Sequence, residues 1–481
     1  MKPLSLDLRD IQGDVLEGLP KNYENFIFYK IIIPSSFRQH LKQHVIPRIT
    51  NALQVHDRGL TVPFAKTRGY GPSDSLLGLN LGFTRSGVVQ LVGVRTKLDP
   101  AFEKGANHQD TIKKLNDPPL SNWLKIFISD RIDGILVVTG RDRSSVTLHS
   151  NYLLRSLGSS IKIVYSEMGN TRPAAERRHE HFGFLDGVSQ PGIRGLTTAA
   201  DPGRRPEEGL PGQDLLWPGE FVFGYPGQHP EDPHKAGPAP EMRVSWTRNG
   251  SYMVLRRLEQ KVPEFRRFAR EQAARFGMSP ELLAARMVGR WKSGAPLELT
   301  PLRDDPRLGA DDNRNNDFEF GGDAEQRKCP YAAHIRKAYP RDDTGNEAEV
   351  QRHRIIRRGI PFGPEVAAGE TTTRYSRGLM FVCYQTSIER QFEFIQRNYA
   401  NNPDFVSGKE RPGGGGVVKP GFDPIIGQAE GGDVRTMDEP YPNYPAGSRR
   451  TTLTIPKQFV ELTAAAYFFM PSITALRTVL T

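Results

Sequence analysis

A single carboxylate lies between two glycines in an apolar stretch of the chain. Asp186 follows Gly183 and precedes Gly187, and two phenylalanines, a leucine and a valine surround it. An Asp-Gly pair alone is a common turn former, so the motif also fits a plain turn. The apolar neighbours indicate burial, however, and a buried carboxylate is costly unless a cation pairs with it. Asp186 is therefore a candidate functional residue that requires an arginine nearby.

A second candidate is His334, which follows Cys329 and Pro330. Pro330 is typical of the first turn of a helix and Pro340 of its end, so we expect His334 in the middle of a short helix. Most lone histidines only make hydrogen bonds, but a neutral imidazole is also a common haem ligand. The Cys329 thiolate is the rival ligand. A carboxylate and a lone histidine suit the two faces of a flat metal cofactor.

Two adjacent arginines, Arg357 and Arg358, lie in an apolar segment that predicts a strand. Neighbouring side chains of a strand point to opposite faces, so one of the two must point inward and needs an anion. Asp186 is the obvious partner. A competing metal site at His179-Glu180-His181 lacks the i, i+4 histidine spacing of a zinc helix.

The elements that must position these residues form two halves with the same order. In the first half we predict strands at 26–33, 76–83, 134–139 and 161–165, and helices at 37–49, 85–95, 109–127 and 149–157. In the second half we predict strands at 252–258, 355–362, 378–385 and 465–469, and helices at 263–276, 280–294 and 388–399. Both halves follow the split βαβ order of a ferredoxin-like fold. This predicts an α+β protein with antiparallel sheets and two domains, 1–215 and 216–481.

Two segments interrupt this order. Residues 199–240 are rich in proline, glycine and charge, and are typical of a linker or surface excursion. Residues 402–455, with the glycine run 413–416, form the largest insertion. A loop of that length inside a compact domain is usually functional or covers a cofactor.

Composition excludes several classes of protein. With 481 residues, 37% hydrophobic and 25% charged, the chain is typical of a globular protein with two domains. The net charge of +10 comes from scattered arginine pairs, which predicts neither a nucleic-acid nor a membrane partner. Two cysteines exclude a disulfide scaffold. The N-terminus lacks the apolar core of a signal peptide, which predicts a cytoplasmic protein or a mature secreted one.

Taken together, these motifs resemble the dye-decolorizing peroxidase family, whose mark is a Gly-x-x-Asp-Gly loop above haem and a histidine beneath it. The resemblance is closest to the longer fungal members and their bacterial relatives. It extends over segments in the same order along most of the chain: 10–14, 183–187, 217–220, 249–251, 329–341, 356–361, 378–381 and 423–428.

The resemblance implies two ferredoxin-like domains and one non-covalent haem b per chain, held in the C-terminal domain. It implies that His334 is the iron ligand, Asp186 the acid–base residue and Arg357 the distal arginine. It also implies cofactor contacts for a further set of residues, in which Arg341 pairs with a haem propionate and Asp423 orients the imidazole: Gly187, Arg341, Leu379, Phe381 and Asp423.

The implied activity is the reduction of hydrogen peroxide and the oxidation of dyes, phenols and other bulky donors through a ferryl intermediate. The alternative is a protein that carries or senses haem, or releases its iron, without peroxidase turnover. A haem carrier does not require Asp186 and Arg357 together. We also expect small-molecule reductants as partners and allow for a homo-oligomer.

Overall fold

The computed structural model describes residues 6–61, 77–93, 97–129, 131–197, 209–410, 417–432, 434–439 and 451–481. The strands are β1 (Tyr23–Ile31), β2 (Gly78–Phe83), β3 (Gly134–Gly140), β4 (Ile161–Asn170), β5 (Gly192–Ile193), β6 (Leu215–Leu216), β7 (Ser251–Gln260), β8 (Ile356–Arg357), β9 (Ile360–Phe362), β10 (Gly378–Gln385), β11 (Arg435–Glu439), β12 (Thr451–Ile455) and β13 (Val460–Met470). The α-helices are α1 (Gly13–Leu16), α2 (Pro34–His40), α3 (Ala52–Thr61), α4 (Arg85–Val92), α5 (Pro100–Lys104), α6 (Gln109–Leu115), α7 (Arg143–Leu157), α8 (Val262–Phe276), α9 (Pro280–Val288), α10 (Pro306–Ala310), α11 (His334–Ala338), α12 (Glu347–Arg352) and α13 (Ile473–Thr478).

Nine of these strands form one antiparallel sheet that closes on itself. The order is β7-β13-β2-β3-β1-β4-β9-β10-β8, and β7 also pairs with β10. The first-half strands β1 to β4 are contiguous in this order, and second-half strands flank them on both sides. The antiparallel α+β class is confirmed, and the strands of the two ferredoxin-like halves share a single barrel-like sheet. The domain boundary between residues 215 and 216 remains a prediction.

The three strands β7, β10 and β13 separate the barrel core from a second compartment. Alternate residues of β7 such as Met253 and Leu255 are buried in the main core, together with Phe28 and Leu136 of the first half. The other face of the same strands lines a cavity, because successive side chains of a strand point to opposite sides. The cavity-facing residues are Arg256, Leu258, Gln260, Leu379, Phe381, Val460 and Leu462.

Most predicted elements form with small shifts of their ends. Helix α8 buries one face, with Phe265 and Phe276 in a second core cluster. It ends at Gly277, whose φ of 64° is the left-handed conformation that glycine adopts without strain.

Several predicted elements differ in extent or type. The helix predicted at 109–127 is α-helical only over Gln109–Leu115 and is followed by the short 3₁₀ turns Leu120–Asn122 and Lys125–Phe127. The helix predicted at 280–294 ends at Val288, because Gly289 adopts a left-handed φ of 95°. The strand predicted at 355–362 divides into the short strands β8 and β9, and the helix predicted at 388–399 is π-helical in two pieces, Glu389–Glu393 and Ile395–Ala400.

The interruptions also contain ordered structure. The insertion 402–455 carries the hairpin of β11 and β12, although its glycine run 413–416 lies outside the described residues. Of the segment 199–240, residues 199–208 also lie outside them, and the remainder includes β6. No helix among the described residues is long and apolar enough to cross a membrane.

Candidate active site

One cavity brings together nearly all of the residues singled out in the sequence. It is lined by Asp186, Gly187, His334, Arg341, Arg357, Leu379 and Phe381. Asp423 is fully buried and contacts His334 from behind. These residues come from a loop of the first half and from four separate segments of the second half, so only tertiary packing makes them neighbours.

His334 is the first residue of α11, with Ala333 as the N-cap, and does not lie in mid-helix as predicted. The reason is that Pro330 begins a turn, closed by the Ala333 amide donating to its carbonyl at 3.0 Å, and the helix starts only afterwards. His334 Nδ1 lies 2.7 Å from Asp423 Oδ2. Since Nδ1 is engaged by the carboxylate, Nε2 is the ring nitrogen that remains for a ligand in the cavity.

The Asp423 carboxylate is held on both oxygens. Oδ2 bonds His334, and Oδ1 accepts the amides of Ile425 at 2.8 Å and Ile426 at 3.0 Å. Burial opposes ionisation, but His334 and these amides outweigh it and lower the pKa of Asp423. Burial likewise opposes protonation of His334, yet the charge and hydrogen bond of Asp423 raise the pKa of the imidazole. The pair is therefore a carboxylate that orients an imidazole and makes it more basic.

The Asp186 carboxylate pairs with Arg357, at a Nη1–Oδ1 distance of 2.8 Å. The Gly187 amide donates to the same oxygen at 2.6 Å, and Gly187 has a φ of 76° that suits glycine. Burial would raise the pKa of Asp186, but the charge of Arg357 and the Gly187 amide outweigh it, and the net shift is downward. Asp186 Oδ2 accepts no hydrogen bond from the described residues, so it is available to a molecule in the cavity.

The strand register decides between the two adjacent arginines. Gln190 bonds the backbone of Arg357 twice: its Nε2 donates to the carbonyl at 2.8 Å and its Oε1 accepts the amide at 3.1 Å. Arg358 points away and donates to the carbonyls of Asp14 at 3.2 Å and Leu16 at 2.5 Å. The structure thus brings Arg357 to Asp186 and uses Arg358 to fasten the N-terminal segment.

Glu180 supports the Asp186 loop and was not identified as such from the sequence. Its two carboxylate oxygens accept the amides of Phe182 at 2.9 Å and Phe184 at 2.8 Å, and Gln260 also donates to it. Burial, together with the charge of Asp186, raises the pKa of Glu180. Its place in the motif His179-Glu180-His181 suggested a metal, but no group of three or more metal-ligating side chains exists among the described residues.

A basic wall lies at another edge of the cavity. Arg290 and Arg341 both donate to Asn316 Oδ1, at 3.0 and 2.7 Å. Within the described ranges neither guanidinium bonds a carboxylate. Burial, with the neighbouring charge of Arg341, lowers the pKa of Arg290 to about 9. Two buried cations without a bonded carboxylate predict that the site receives negatively charged groups here. Arg290 was missed because nothing in its local sequence marks it.

These features fit a haem. The cavity has apolar walls that include Leu379, Phe381 and Ile425, a free imidazole nitrogen on one side, and buried cations at an edge for the two carboxylates of the group. Cys329, the rival ligand, does not line the cavity. Burial raises the pKa of its thiol, which disfavours the thiolate that a metal requires.

Comparison with known proteins agrees with this geometry. Residues 10–173 match the family described as DyP dimeric alpha+beta barrel domain, and residues 228–418 match Dyp-type peroxidase, C-terminal. Peroxidase 2 of Mycetinis scorodonius is 36% identical, over 99% of this chain and 88% of its own. The structure of an ancestral D-type dye decolorizing peroxidase superposes with a TM-score of 0.85 and 38% identity, over 99% of this chain and 100% of that one. A dye-decolorizing peroxidase in complex with 2,6-dimethoxyphenol gives a TM-score of 0.83 and 35% identity, with the same coverage.

Proposed function

The chain belongs to the dye-decolorizing peroxidase family, and we propose that Asp186, Arg357 and His334 perform its chemistry. It is a peroxidase that uses a haem cofactor and oxidises dyes and phenols. We assign it hydrogen peroxide as oxidant and one non-covalent haem b per chain. A homo-oligomer remains a prediction that light scattering after size exclusion can test.

The residues that would hold the haem surround the cavity. His334 Nε2 would bind the iron, and Arg290 and Arg341 would receive the propionates. Leu379 and Phe381 on β10 and Ile425 would contact the apolar ring. When bound, haem supplies an iron centre that binds peroxide and exchanges electrons one at a time. We propose that the haem is not covalently attached, since neither of the two cysteines lines the cavity.

Asp186 moves a proton. Its lowered pKa keeps it ionised at neutral pH, and Oδ2 is available to accept a proton from one oxygen of hydrogen peroxide. Returning that proton to the other oxygen, with two electrons that the haem would supply, allows the O–O bond to break with release of water. Arg357 bonds Oδ1 and so leaves Oδ2 for this transfer. Its fixed positive charge also stabilises negative charge that develops on the leaving oxygen.

His334 and Asp423 hold their proton in place. The hydrogen bond at Nδ1 fixes the tautomer and the ring orientation, and it makes Nε2 a stronger donor to a metal. Asp423 cannot take part in proton transfer to the cavity, because it is fully buried behind the imidazole.

The observation that carries the proposal is the Asp186–Arg357 pair in the same cavity as His334. A haem carrier requires the histidine but not this pair. The experiment is rapid mixing of the purified ferric protein with one equivalent of hydrogen peroxide. We expect a fast change of the haem spectrum in the parent, and its loss in the double variant Asp186→Asn with Arg357→Leu, which should still bind haem. Slow bleaching alone in the parent would support the carrier.

A further inference from the structure

A buried arginine lies directly behind the carboxylate that bonds His334. Arg435, on β11, is 1% exposed. Its Nη1 donates to the carbonyl oxygens of Asp423 at 3.2 Å, Pro424 at 3.3 Å and Gly427 at 2.9 Å, and its Nη2 to that of Lys457 at 2.9 Å. No carboxylate among the described residues bonds it. Burial lowers the pKa of Arg435 to about 10, although the charge of Asp423 acts in the opposite direction.

The three carbonyls on Nη1 belong to a single tight turn. Asp423 begins the turn by donating its amide to Ala400 at 3.0 Å, and its carbonyl accepts the Gly427 amide at 3.0 Å. Gly427 permits this close approach, because a Cβ there would lie 2.4 Å from the Asp423 carbonyl. The guanidinium donates to three carbonyls of the turn, and the Asp423 side chain of the same turn bonds His334. Arg435 thus fixes the backbone from which that side chain extends.

The hairpin of β11 and β12 holds the arginine in turn. Arg435 pairs with Ile455 across the two strands. Met437, Leu453 and Ile455 are buried in the same cluster as Phe265 and Ile425 of the C-terminal domain. This hairpin belongs to the 402–455 insertion, whose length suggested a role at the cofactor. The packing anchors the guanidinium to the domain that carries α11.

We propose that Arg435 is a positioning residue: it fixes Asp423 against His334 and thereby determines how strongly His334 binds the haem iron. The inference rests on the proposed role of His334 as the iron ligand. The strength of a charged hydrogen bond depends on its length and angle, so a looser turn weakens the imidazole–carboxylate bond and makes Nε2 a poorer donor. This effect opposes the purely electrostatic one, since removal of a nearby cation would make Asp423 more basic.

The two effects shift the Fe–His stretching frequency in opposite directions. Resonance Raman spectroscopy of the ferrous haem protein therefore tests the proposal. We expect Arg435→Met to lower the Fe–His stretching frequency and to raise the Fe(III)/Fe(II) midpoint potential. Arg435→Lys retains the charge but lacks the planar fork that reaches several carbonyls, so it should shift both quantities in the same direction. A rise in the stretching frequency of Arg435→Met, with Arg435→Lys like the parent, would show that only charge matters. An unchanged band in both variants would overturn the proposal.

Arg377→Met is the matched control. Arg377 is equally buried and bonds Pro364 and both oxygens of Glu370, but none of these residues lines the cavity. It should lose stability without moving the Fe–His band. If Arg435→Met does not fold, Arg435→Lys alone decides. His334→Ala separates the two proposals: if it retains the band, the ligand assignment fails. If it loses the band while the Arg435 variants leave it unmoved, only the positioning role fails.

Discussion

The two sides of the cavity each contain a carboxylate bonded to a nitrogen-bearing side chain, yet they differ in what the carboxylate can still do. On one side the Asp186 and Arg357 side chains are 33% and 32% exposed, and one oxygen of Asp186 has no partner among the described residues. On the other side Asp423 is 0% exposed and both of its oxygens are bonded. The first carboxylate can exchange a proton with a ligand, and the second can only orient its neighbour. An aspartate bonded to a nitrogen-bearing side chain therefore serves different purposes according to how completely the carboxylate is hydrogen-bonded.

The largest effect should come from removing the imidazole. His334→Ala should lose the spectrum of a histidine-ligated ferric haem, because no other imidazole in the described part of the chain lines the cavity. Absorption and resonance Raman spectra of the purified variant measure this. The control is His353→Ala, since His353 is buried but bonds Arg390 and Glu349 away from the cavity. If His334→Ala keeps the parent spectrum, His334 is not the iron ligand.

Next in size is the loss of the proton acceptor. Asp186→Asn keeps the shape and removes the base, which typically costs about 10²–10⁴-fold in rate. Stopped-flow mixing with peroxide measures it across pH. Because the pKa of Asp186 is lowered from its usual value near 3.8, the parent rate should be constant at neutral pH and fall only in acid, as the carboxylate protonates. The variant should show no such fall, and a parent-like rate in the variant would assign the cleavage to Arg357 alone.

The next comparison is between Arg357, which lies on the same side of the cavity as Asp186, and its neighbour in sequence, Arg358. Arg357→Leu removes the fixed charge from O–O cleavage, on the order of a hundredfold or more in the rate with peroxide. Arg358→Leu should leave that rate nearly unchanged and lower the midpoint of thermal unfolding, because Arg358 bonds Asp14 and Leu16 of the N-terminal segment. The reverse ranking would contradict the strand register.

On the opposite side, Asp423→Asn should weaken the imidazole as a donor. Loss of such a partner commonly costs about 10–100-fold in metal affinity or activity. The Fe–His stretching frequency should fall, while the pH dependence attributed to Asp186 should remain. A changed pH profile with an unmoved band would mean that the two carboxylates are not functionally separate.

The smallest effect should come from Gln190→Ala, which removes both side-chain bonds to the Arg357 backbone. Each net hydrogen bond contributes about 1 kcal/mol, so the loss of both should lower the rate with peroxide by roughly thirtyfold at most. We expect Gln190→Asn to lower the rate as well, since the shorter amide cannot reach both backbone groups of Arg357. A rate equal to the parent in Gln190→Ala would show that strand pairing alone fixes Arg357.

Local sequence determined those parts of the fold in which a pattern has one physical solution. Buried runs such as 26–31 and 134–139 form strands because both faces are covered. Helix α8 follows from its apolar stripe and from Gly277. The Asp-Gly motif and the adjacent arginines indicated that a carboxylate and a guanidinium would meet, since neither is stable alone in an apolar setting. The family resemblance then indicated which arginine and which histidine to choose.

Only the tertiary structure decided how these residues are held. Asp423 lies 89 residues from His334 in the chain, and Arg290, Glu180, Gln190 and Arg435 carry no local signal of their roles. Their function depends on which carbonyl, amide or carboxylate lies opposite them, and that is set by packing between distant segments. A hydrogen bond is specific to geometry within a few tenths of an ångström, whereas sequence patterns fix only which face of an element is buried. Residue types therefore predict which side chains form the site, but packing between distant segments sets the distances and hydrogen bonds within it.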